Sequence, residues 1–539
     1  MPTTRHKETT MNIKLPPISL WYLPVLSGVF IGTSYIPFPP WASVFGFVPL
    51  WLFWNEQTRL KNVFLGGVIT AFVFTLIGFN WVTYTLHEFA HLPWFFCVIG
   101  MLVFGLVGHL YVALAGVLWF LGRKLFHWSE PLSLGLMALT TVLCEANSLT
   151  LFDWNFGYSW YGANIPIYQW AEFIGFRGLS AATLLCNLPL YYAWKNRKQR
   201  TGKIIFATVM TVFILLNLGG LGLKARLPKP DSQLNALLIQ ASIPNSEKMA
   251  AELGEGYTEE IIKRIMALTD KALSEHKGRK IDFAMWPETA FPSLLGPGFE
   301  YKENTVWLSQ FLRDRQLALV TGAFGVDEKS RLITNSLFLL DDQGEVQEPH
   351  YSKTILLAFG EYIPFAETFP VIRKFLPQIG QYARGPGPTV LFDWNGFKMG
   401  PQICYESLFP KFSRDLANLG AQFIVNATND SWYGTWQEPD QHLYMTLARG
   451  VEFRRPVLRV TNTGISTVSL ASGEVLEMSP MHQAWTGLYE VPYVKNPQAT
   501  FYQDWFWLVP GLLWSSLVLL LVIGMVKKLA FTQSDQENQ

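Results

Sequence analysis

Long apolar runs fill the first 224 residues and are separated by short polar segments, and one further run lies near the C-terminus. A membrane-spanning helix needs about 20 mostly apolar residues, and most of these runs approach that length. The pattern therefore predicts eight transmembrane helices, of which the second is short and fits a re-entrant segment equally well. The predicted spans cover residues 17–36, 40–55, 62–86, 93–121, 131–148, 175–194, 204–223 and 504–526.

Basic residues are concentrated in every second loop between these runs. They include Arg59 and Lys61, Arg123 and Lys124, and five residues within 195–203, whereas the alternate loops carry none. Arg177, at the start of the sixth span, is the one exception on that side. Cytoplasmic loops of membrane proteins are rich in Lys and Arg. Both termini are therefore predicted to be cytoplasmic.

The hydropathy pattern divides the chain into four parts. Residues 1–224 hold seven predicted spans, 225–502 form a polar extracytoplasmic domain, 503–528 form the last span and 529–539 are a polar tail. The first run is expected to be retained rather than cleaved as a signal peptide, because its flank lacks a small-x-small pattern and further spans follow at once.

Short apolar strands alternate with helical stretches within the extracytoplasmic domain, which is typical of layered α/β proteins. Asp341–Gly344 and Asn395-Gly396 each predict a β-hairpin turn. The predicted helices cover 258–276, 307–314 and 412–419. The predicted strands cover 236–240, 282–285, 317–322, 336–340, 345–349, 390–394, 397–404, 422–427, 457–461, 466–470 and 474–478.

Charge and aromatic content refine this picture. The net charge of the 539 residues is +1, which gives no reason to expect a nucleic-acid partner. The 21 Trp and 40 Phe crowd at the ends of apolar runs, as expected of residues at membrane interfaces. The aromatic segment 149–174 is interpreted as an interfacial loop, with a lipid-entry surface as the alternative. Glu145 is interpreted as interfacial, or alternatively as a buried functional carboxylate.

One metal motif occurs. His87-Glu88-Phe89-Ala90-His91 fits H-E-x-x-H, which on a helix holds zinc between two histidines with the glutamate as base. Leu92-Pro93 would end such a helix, and a third ligand is not evident. We therefore expect no metal, and an intramembrane zinc protease remains an alternative.

Cys404 is the only cysteine between Lys224 and Tyr502, and it lies at the end of a predicted strand. Glu288 and Lys353 also follow predicted strands, where α/β proteins often place catalytic groups. A thiol is nucleophilic as the thiolate, a carboxylate can take its proton, and a lysine can stabilise an oxyanion. Each residue alone is more often structural, but the three together suffice for thioester chemistry.

Three motifs surround or lie near these residues: Trp286-Pro287-Glu288-Thr289-Ala290, Phe359-Gly360-Glu361-Tyr362-Ile363-Pro364-Phe365 and Ile403-Cys404-Tyr405-Glu406-Ser407. Over about 233–495 the sequence resembles the nitrilase (carbon–nitrogen hydrolase) superfamily, whose members are αββα sandwiches. Together with the flanking spans, it is similar to the apolipoprotein N-acyltransferase family. The expected fold is thus eight transmembrane helices plus a nitrilase-like αββα sandwich domain.

The resemblance implies a role for each matching residue. Glu288 matches the general base, Lys353 the oxyanion-stabilising lysine and Cys404 the nucleophile that accepts the acyl group. Glu361 matches a second glutamate that orients Lys353 or Glu288.

Further positions match less directly. Tyr405 and Glu406 match the residues after the nucleophile, and the Tyr405 N–H is a candidate oxyanion donor. The loop 429–434 resembles a loop of the family. We interpret it first as part of the scaffold and second as a contact to the substrate. Where relatives carry a Trp after Gln-x-x-Ile-Pro, this chain has Met249, which leaves the lipid contact at that position in question.

The resemblance also implies a reaction. Cys404 would take an acyl group from a membrane phospholipid and pass it, by a ping-pong mechanism, to the N-terminal amine of a diacylglyceryl lipoprotein. No metal or soluble cofactor is implied, and a monomer is the default. The location implied is the bacterial inner (cytoplasmic) membrane with the catalytic domain on the periplasmic side. Residues 363–369 and Trp432-Tyr433 are either lids or ordinary loops.

Two further alternatives stay open. The same three residues, with water as acceptor, would make a membrane-anchored nitrilase-type amidase of small substrates. A non-enzymatic lipoprotein-binding scaffold would not need the Cys404 thiol.

Overall fold

The computed structural model describes residues 20–88, 92–126, 128–148, 153–358, 360–363, 366, 368–374 and 382–537. Several predictions concern residues outside these ranges, namely His91, residues 17–19 of the first predicted span, residues 149–152, and residues 364, 365 and 367 of the segment 363–369.

Helices form the whole of the described chain before residue 226, apart from turns. Apolar residues predominate in most of these helices, as in helices buried in a protein or a membrane. The helices are α1 (Tyr22–Gly32), α2 (Val48–Asn55), α3 (Leu60–Gly78), α4 (Val82–Glu88), α5 (Trp94–Val107), α6 (Tyr111–Leu125), α7 (Glu130–Ala146), α8 (Tyr158–Gly162), α9 (Ala171–Lys195) and α10 (Arg200–Ala225).

Five helical segments of the described chain are long and apolar enough to cross a membrane. They cover Leu60–Gly78, Trp94–Leu125, Pro166–Lys195, Arg200–Ala225 and Leu508–Ala530. The other three predicted spans contain shorter helices, of which α1 has 11 residues and α2 only eight. The number of eight spans therefore stays a prediction.

The rest of the chain contains two mixed β-sheets with helices outside them. Its strands are β1 (Ser232–Gln240), β2 (Phe283–Met285), β3 (Phe291–Leu294), β4 (Leu319–Val326), β5 (Ile333–Leu340), β6 (Val346–Ser352), β7 (Phe392–Trp394), β8 (Phe397–Ile403), β9 (Phe423–Thr428), β10 (Val457–Thr461), β11 (Thr467–Ser469) and β12 (Trp485–Tyr493). Its helices are α11 (Asn245–Glu252), α12 (Thr258–Glu275), α13 (Glu303–Arg315), α14 (Pro410–Asn418), α15 (Glu438–Phe453), α16 (Phe501–Asp504) and α17 (Leu508–Glu537).

The first sheet has the strand order β12-β1-β2-β4-β5-β6, with β3 paired to β4, and the second has the order β11-β10-β9-β8-β7. Their facing sides share one core, in which Met285 and Leu337 meet Met399 and Val425. Helices α12 and α13 cover the outer face of the first sheet through a second core. Helix α15 covers the outer face of the second sheet. These four layers confirm the predicted αββα sandwich.

Helix α15 also joins the sandwich to the membrane helices. Gln441 Nε2 donates to the carbonyls of Ile36 at 2.8 Å and Gly78 at 2.9 Å, and its Oε1 accepts from Trp81 Nε1 at 3.2 Å. Arg449 Nη2 donates to the Tyr158 hydroxyl at 2.8 Å. Because these polar groups are buried, each bond replaces one to water that folding removes. The sandwich is thereby fixed in position on the helices.

The described part of the segment 149–174 contributes to this junction. Trp160, Tyr161 and Tyr168 are buried, and they pack with Leu443 and Leu447 of α15. The interpretation as an interfacial loop is therefore wrong for these side chains, because the sandwich covers them.

Most of the predicted strands and all three predicted helices of the sandwich are confirmed within a few residues, as are both hairpins. The predicted strand 474–478 is wrong. Its carbonyls at Leu476 and Glu477 accept side-chain hydrogen bonds from Thr467, and the Tyr489 hydroxyl also donates to Glu477. Only one isolated bridge, Ser469 with Val475, joins it to a neighbouring strand. Strands β3 and β12 and helices α11 and α15 were not predicted.

Candidate active site

Glu288, Lys353 and Cys404 each lie just beyond the end of a strand. Glu288 follows β2, Lys353 follows β6 of the same sheet, and Cys404 follows β8 of the facing sheet. Gly322 of β4 lies directly against the Glu288 loop, where a Cβ atom would be 2.6 Å from Glu288 Cα. Only glycine permits this approach, so the close packing of β4 helps to fix the position of Glu288.

Lys353 pairs with two carboxylates in a buried site. Its Nζ lies 3.0 Å from Glu288 Oε1 and 2.9 Å from Glu361 Oε1, and only 2% of Lys353 is exposed. Burial lowers the pKa of Lys353, but the charges of Glu288 and Glu361 outweigh it and hold the pKa well above its usual value. The lysine is therefore a fixed positive charge. The prediction that Glu361 orients Lys353 or Glu288 agrees with these distances.

Asn335, in β5, joins the same two carboxylates, and no motif in the sequence predicted this role. Its Nδ2 donates to Glu288 Oε1 at 2.7 Å and to Glu361 Oε1 at 2.9 Å. Its backbone carbonyl accepts from the Lys353 N–H at 2.8 Å. Asn335 thus holds both the carboxylates and the lysine backbone, which only the pairing of β5 with β6 makes possible.

Cys404 is held in an unusual backbone conformation at the end of β8. Its φ is +49°, in the left-handed region that few residues other than glycine adopt. Strain of this kind costs about 1–3 kcal/mol and persists only where the surroundings enforce it. The chain turns sharply into a 3₁₀ helix over Cys404–Leu408. Strand β8 therefore ends at Ile403, one residue earlier than predicted.

The thiol of Cys404 is buried, with 6% of the residue exposed, and it interacts electrostatically with Glu288 and Lys353. Burial raises the pKa of Cys404 above its usual value, Glu288 raises the pKa further, and Lys353 lowers it. The lysine therefore does not by itself produce a thiolate, contrary to the simple expectation for a cysteine beside a cation. A neutral thiol needs a base to remove its proton, and the role of Glu288 as that base stays a prediction.

Glu406 connects the Cys404 turn to the segment that carries Lys353. Its Oε1 accepts from the Tyr351 hydroxyl at 2.6 Å and from the N–H groups of Thr354 at 2.6 Å and Ile355 at 3.1 Å. Its Oε2 accepts from the Ile403 N–H at 2.9 Å. Burial raises the pKa of Glu406 to about 7, against the lowering effect of these bonds. These bonds hold the Cys404 turn against the segment that carries Lys353, and a supporting role of Glu406 in the reaction stays a prediction.

A second buried group of charges lies behind Cys404 and was not predicted. Asp430 Oδ2 lies 2.7 Å from Arg459 Nη2, and Asp430 Oδ1 lies 2.9 Å from His442 Nδ1. Burial acts to raise the pKa of Asp430, but Arg459 and His442 have the larger, opposite effect and lower the pKa to about 2. Asp430 is therefore ionised. The buried charges of α15 and β10 could not be associated with Cys404 before the tertiary structure brought them together.

The loop 429–434 lies between this site and the membrane helices. Trp432 and Tyr433 pack on the core of the helices, and the Tyr433 ring meets the Trp81 ring edge to face at 5.4 Å between centroids. Tyr433 also interacts electrostatically with Cys404 and Glu288. The nucleophile is therefore close to the junction with the membrane helices. A lid role for Trp432 and Tyr433 stays a prediction.

The other predicted site residues lie elsewhere. His87 Nδ1 lies 2.8 Å from the Leu92 carbonyl, and no three His, Cys, Asp or Glu of the described residues are grouped to hold a metal. The Glu145 carboxylate is buried and accepts from Ser180 Oγ at 2.7 Å, while the alternative that it is a functional carboxylate stays a prediction. Met249 is half-buried in α11, next to Lys248, whose Nζ donates to the Glu288 carbonyl at 2.9 Å.

Comparison with known proteins shows to which class of proteins the sandwich domain belongs. Residues 240–486 match the carbon–nitrogen hydrolase family, and residues 27–189 match the N-terminal domain of apolipoprotein N-acyltransferase. The protein is therefore an enzyme of the carbon–nitrogen hydrolase class that carries a membrane domain. An amidase from Nesterenkonia sp. AN1 is 19% identical, with a TM-score of 0.36, over 50% of this chain and 96% of its own.

Full-length relatives give the family. The apolipoprotein N-acyltransferase of Bdellovibrio bacteriovorus is 41% identical over 516 residues, which cover 93% of this chain and 92% of the relative. That of Geobacter metallireducens is 29% identical over 474 residues, which cover 86% and 87% of the two chains. The chain belongs to the apolipoprotein N-acyltransferase family and is an acyltransferase.

Proposed function

We propose that this enzyme transfers an acyl group from a membrane phospholipid to the N-terminal amine of diacylglyceryl lipoproteins, with Cys404 as the acyl carrier. The observation that carries the proposal is the buried Glu288–Lys353–Glu361 group beside the Cys404 thiol, at the junction with the membrane helices. Membership in the family supports the lipid and lipoprotein substrates.

In the first half-reaction, Glu288 takes the proton of Cys404 and the sulfur attacks the ester carbonyl of the phospholipid. Lys353 and the Tyr405 N–H stabilise the oxyanion of the tetrahedral intermediate. The bond between the carbonyl carbon and the glycerol oxygen then breaks. The lysophospholipid leaves with the proton from Glu288, and Cys404 holds the acyl group as a thioester.

In the second half-reaction, the lipoprotein amine attacks the thioester carbonyl. Glu288 takes a proton from the attacking nitrogen, the carbon–sulfur bond breaks, and the proton returns to the Cys404 sulfur. The product is an N-acylated lipoprotein, and the free enzyme is regenerated in a ping-pong cycle. Water would divert the thioester to a free fatty acid. The 6% exposure of Cys404 limits that loss.

The membrane anchoring of both substrates also favours one orientation of the enzyme in the membrane. Both are anchored in a membrane, so the site must face the leaflet that holds them. We infer eight spans, with residues 225–502 on the periplasmic side of the bacterial inner membrane. The alternation of basic loops and the five long apolar helices support this inference.

Trapping the intermediate tests the function. The detergent-solubilised enzyme is incubated with vesicles of a phospholipid that carries a labelled acyl chain, and the Cys404 peptide is analysed by mass spectrometry. We expect the acyl mass on Cys404 and its transfer to a synthetic diacylglyceryl-cysteinyl peptide. Cys404→Ala should carry no label. Release of ammonia from small amides, without acylation by phospholipid, would instead support the amidase alternative.

Cysteine labelling tests the topology. Lys329 is exposed in the sandwich, so a Lys329→Cys variant should react with a membrane-impermeant maleimide in cells with a permeabilised outer membrane. Arg59→Cys, in a predicted cytoplasmic loop, should react only after the inner membrane is lysed. The reverse pattern would contradict the proposed orientation.

A further inference from the structure

A buried chain of hydrogen bonds leads from Arg459 to the carbonyl of Cys404. Arg459 Nη1 donates to Thr446 Oγ1 at 3.0 Å, Thr446 Oγ1 and Ser407 Oγ are 2.7 Å apart, and Ser407 Oγ donates to the Cys404 carbonyl at 2.9 Å. None of the surface of Arg459, Thr446 or Ser407 is exposed. The three side chains come from β10, α15 and the 3₁₀ turn after Cys404.

The direction of every bond in this chain is fixed by the number of protons. A hydroxyl has one proton to donate, and a guanidinium only donates. Ser407 gives its proton to the Cys404 carbonyl, so it must accept from Thr446. Thr446 therefore donates to Ser407 and accepts from Arg459. All donors point from the positive charge towards the carbonyl, and in a buried site such bonds polarise one another.

The position of Arg459 is fixed from its other side. Its Nη2 is paired with Asp430 at 2.7 Å, and its Nη1 also donates to Asn426 Oδ1 at 2.9 Å. Asn426 Nδ2 lies 3.5 Å from the Cys404 carbonyl, which is a weak contact beside the 2.9 Å bond from Ser407. The His442 side chain also interacts with the Cys404 backbone. The hydroxyl route is therefore one of three contacts at this peptide, and its 2.9 Å bond from Ser407 is shorter than the Asn426 contact.

We propose that Arg459, Thr446 and Ser407 form a relay that orients and polarises the Cys404–Tyr405 peptide, so that the Tyr405 N–H is aimed at the oxyanion. In a planar trans peptide, the C=O and the N–H point in opposite directions, so fixing the carbonyl also fixes the N–H. A donor to the carbonyl oxygen also strengthens the dipole of the N–H. The relay rests on the proposed role of Cys404 as the acyl carrier, and its members are positioning residues.

Two substitutions at Thr446 distinguish a role of its hydroxyl in the relay from a role of its side chain in packing alone. Thr446→Val keeps the volume and removes the hydroxyl, whereas Thr446→Ser keeps the hydroxyl and removes a methyl group. If Thr446 only fills space, the serine variant should be the more damaged. If the relay operates, the valine variant should be acylated more slowly, while the serine variant keeps most of the wild-type rate. In both variants Asn426 and Asp430 still accept from Arg459, so the guanidinium keeps at least two partners.

Two reactions of Cys404 are measured in each variant. Acylation by phospholipid vesicles forms an oxyanion, whereas alkylation by iodoacetamide does not. Loss of a direct oxyanion donor slows enzymes by about 10²–10³, so an indirect effect of about tenfold on acylation is expected for Thr446→Val, and somewhat more for Ser407→Ala. Alkylation should stay within about twofold of wild type, since the thiol and its base are unchanged.

Thr305→Val is the matched control. Thr305 is a buried threonine of helix α13 whose hydroxyl donates to the Leu294 carbonyl at 3.5 Å, within the outer layer of the first sheet. Its replacement should leave both reactions at wild-type rates. Thermal melting in detergent shows whether each variant is folded, and Ser407→Ala keeps the relay testable if Thr446→Val does not fold.

Three results would overturn the relay: a wild-type acylation rate in Thr446→Val, slower acylation in Thr446→Ser than in Thr446→Val, or a parallel fall in acylation and alkylation. If phospholipid is not the acyl donor, the result is different from a failure of the relay, because the wild-type enzyme would then take no acyl group from phospholipid. The same variants would be compared by their acylation with p-nitrophenyl butyrate. A wild-type Cys404 that is acylated by neither compound would overturn both proposals.

Discussion

The Tyr351 hydroxyl donates a 2.6 Å hydrogen bond to the Glu406 carboxylate across the two sheets of the sandwich. Tyr351 lies two residues before Lys353, and Glu406 lies two residues after Cys404. This one bond therefore joins the strand that carries the lysine to the turn that carries the nucleophile. Since both side chains are almost fully buried, water does not compete for it.

Glu406→Gln should weaken this connection. The carboxylate accepts four hydrogen bonds, and an amide in its place turns one acceptor atom into a donor that faces an N–H or a hydroxyl. An unpaired buried donor costs about 1–3 kcal/mol, so the melting temperature in detergent should fall. Acylation of Cys404 should slow as well. The exposed Glu345→Gln should change neither property, and an unchanged melting temperature in Glu406→Gln would contradict the positioning role.

The Glu288→Gln variant should distinguish the role of Glu288 as a general base from its role as an ion-pair partner of Lys353. Loss of a general base slows enzymes by about 10²–10⁴, so acylation of Cys404 by phospholipid should fall by that factor. Alkylation by iodoacetamide should not slow, because the substitution removes a negative charge that raises the pKa of the thiol.

Glu361→Gln is the matched variant, since it removes the other carboxylate of Lys353. It should slow acylation less than Glu288→Gln does. Equal losses in both variants would mean that the carboxylates act only by holding the lysine.

Lys353→Met should destabilise the fold, because it leaves Glu288 and Glu361 close together in a buried site without their cation. Removal of one partner of a buried ion pair costs about 3–5 kcal/mol. The double variant Lys353→Met/Glu361→Gln removes one of the two negative charges. It should therefore melt at a higher temperature than Lys353→Met alone, although both should be inactive. A lower melting temperature of the double variant would contradict this balance of charges around Lys353.

The pH dependence of Cys404 alkylation should follow its raised pKa. An acid whose pKa is raised on folding keeps its proton to higher pH, so the thiolate fraction is still below one half at the usual thiol value of 9.0. The rate with iodoacetamide should rise about tenfold per pH unit from pH 7 to 9, as only the thiolate reacts. Cysteine methyl ester is the reference thiol. A plateau below pH 8 would show a low-pKa thiolate instead.

The sequence by itself determined the parts of the molecule that depend on local pattern. Long apolar runs predict helices, because the hydrophobic period and length are properties of the segment alone. The Asn395-Gly396 and Asp341–Gly344 turns predicted both hairpins for the same reason. The three predicted catalytic residues came from motifs, and the family that those motifs indicated is the one to which the chain belongs.

Only the tertiary structure decided which distant residues share a site. Asn335 reaches both carboxylates because β5 pairs with β6, and Arg459 reaches the Cys404 carbonyl through α15. The raised pKa of Cys404 likewise depends on burial between two sheets, which outweighs the nearby lysine. The physical reason is the same in each case. Hydrogen bonds and desolvation depend on distances in space, and residues far apart in the chain acquire those distances only when the layers pack.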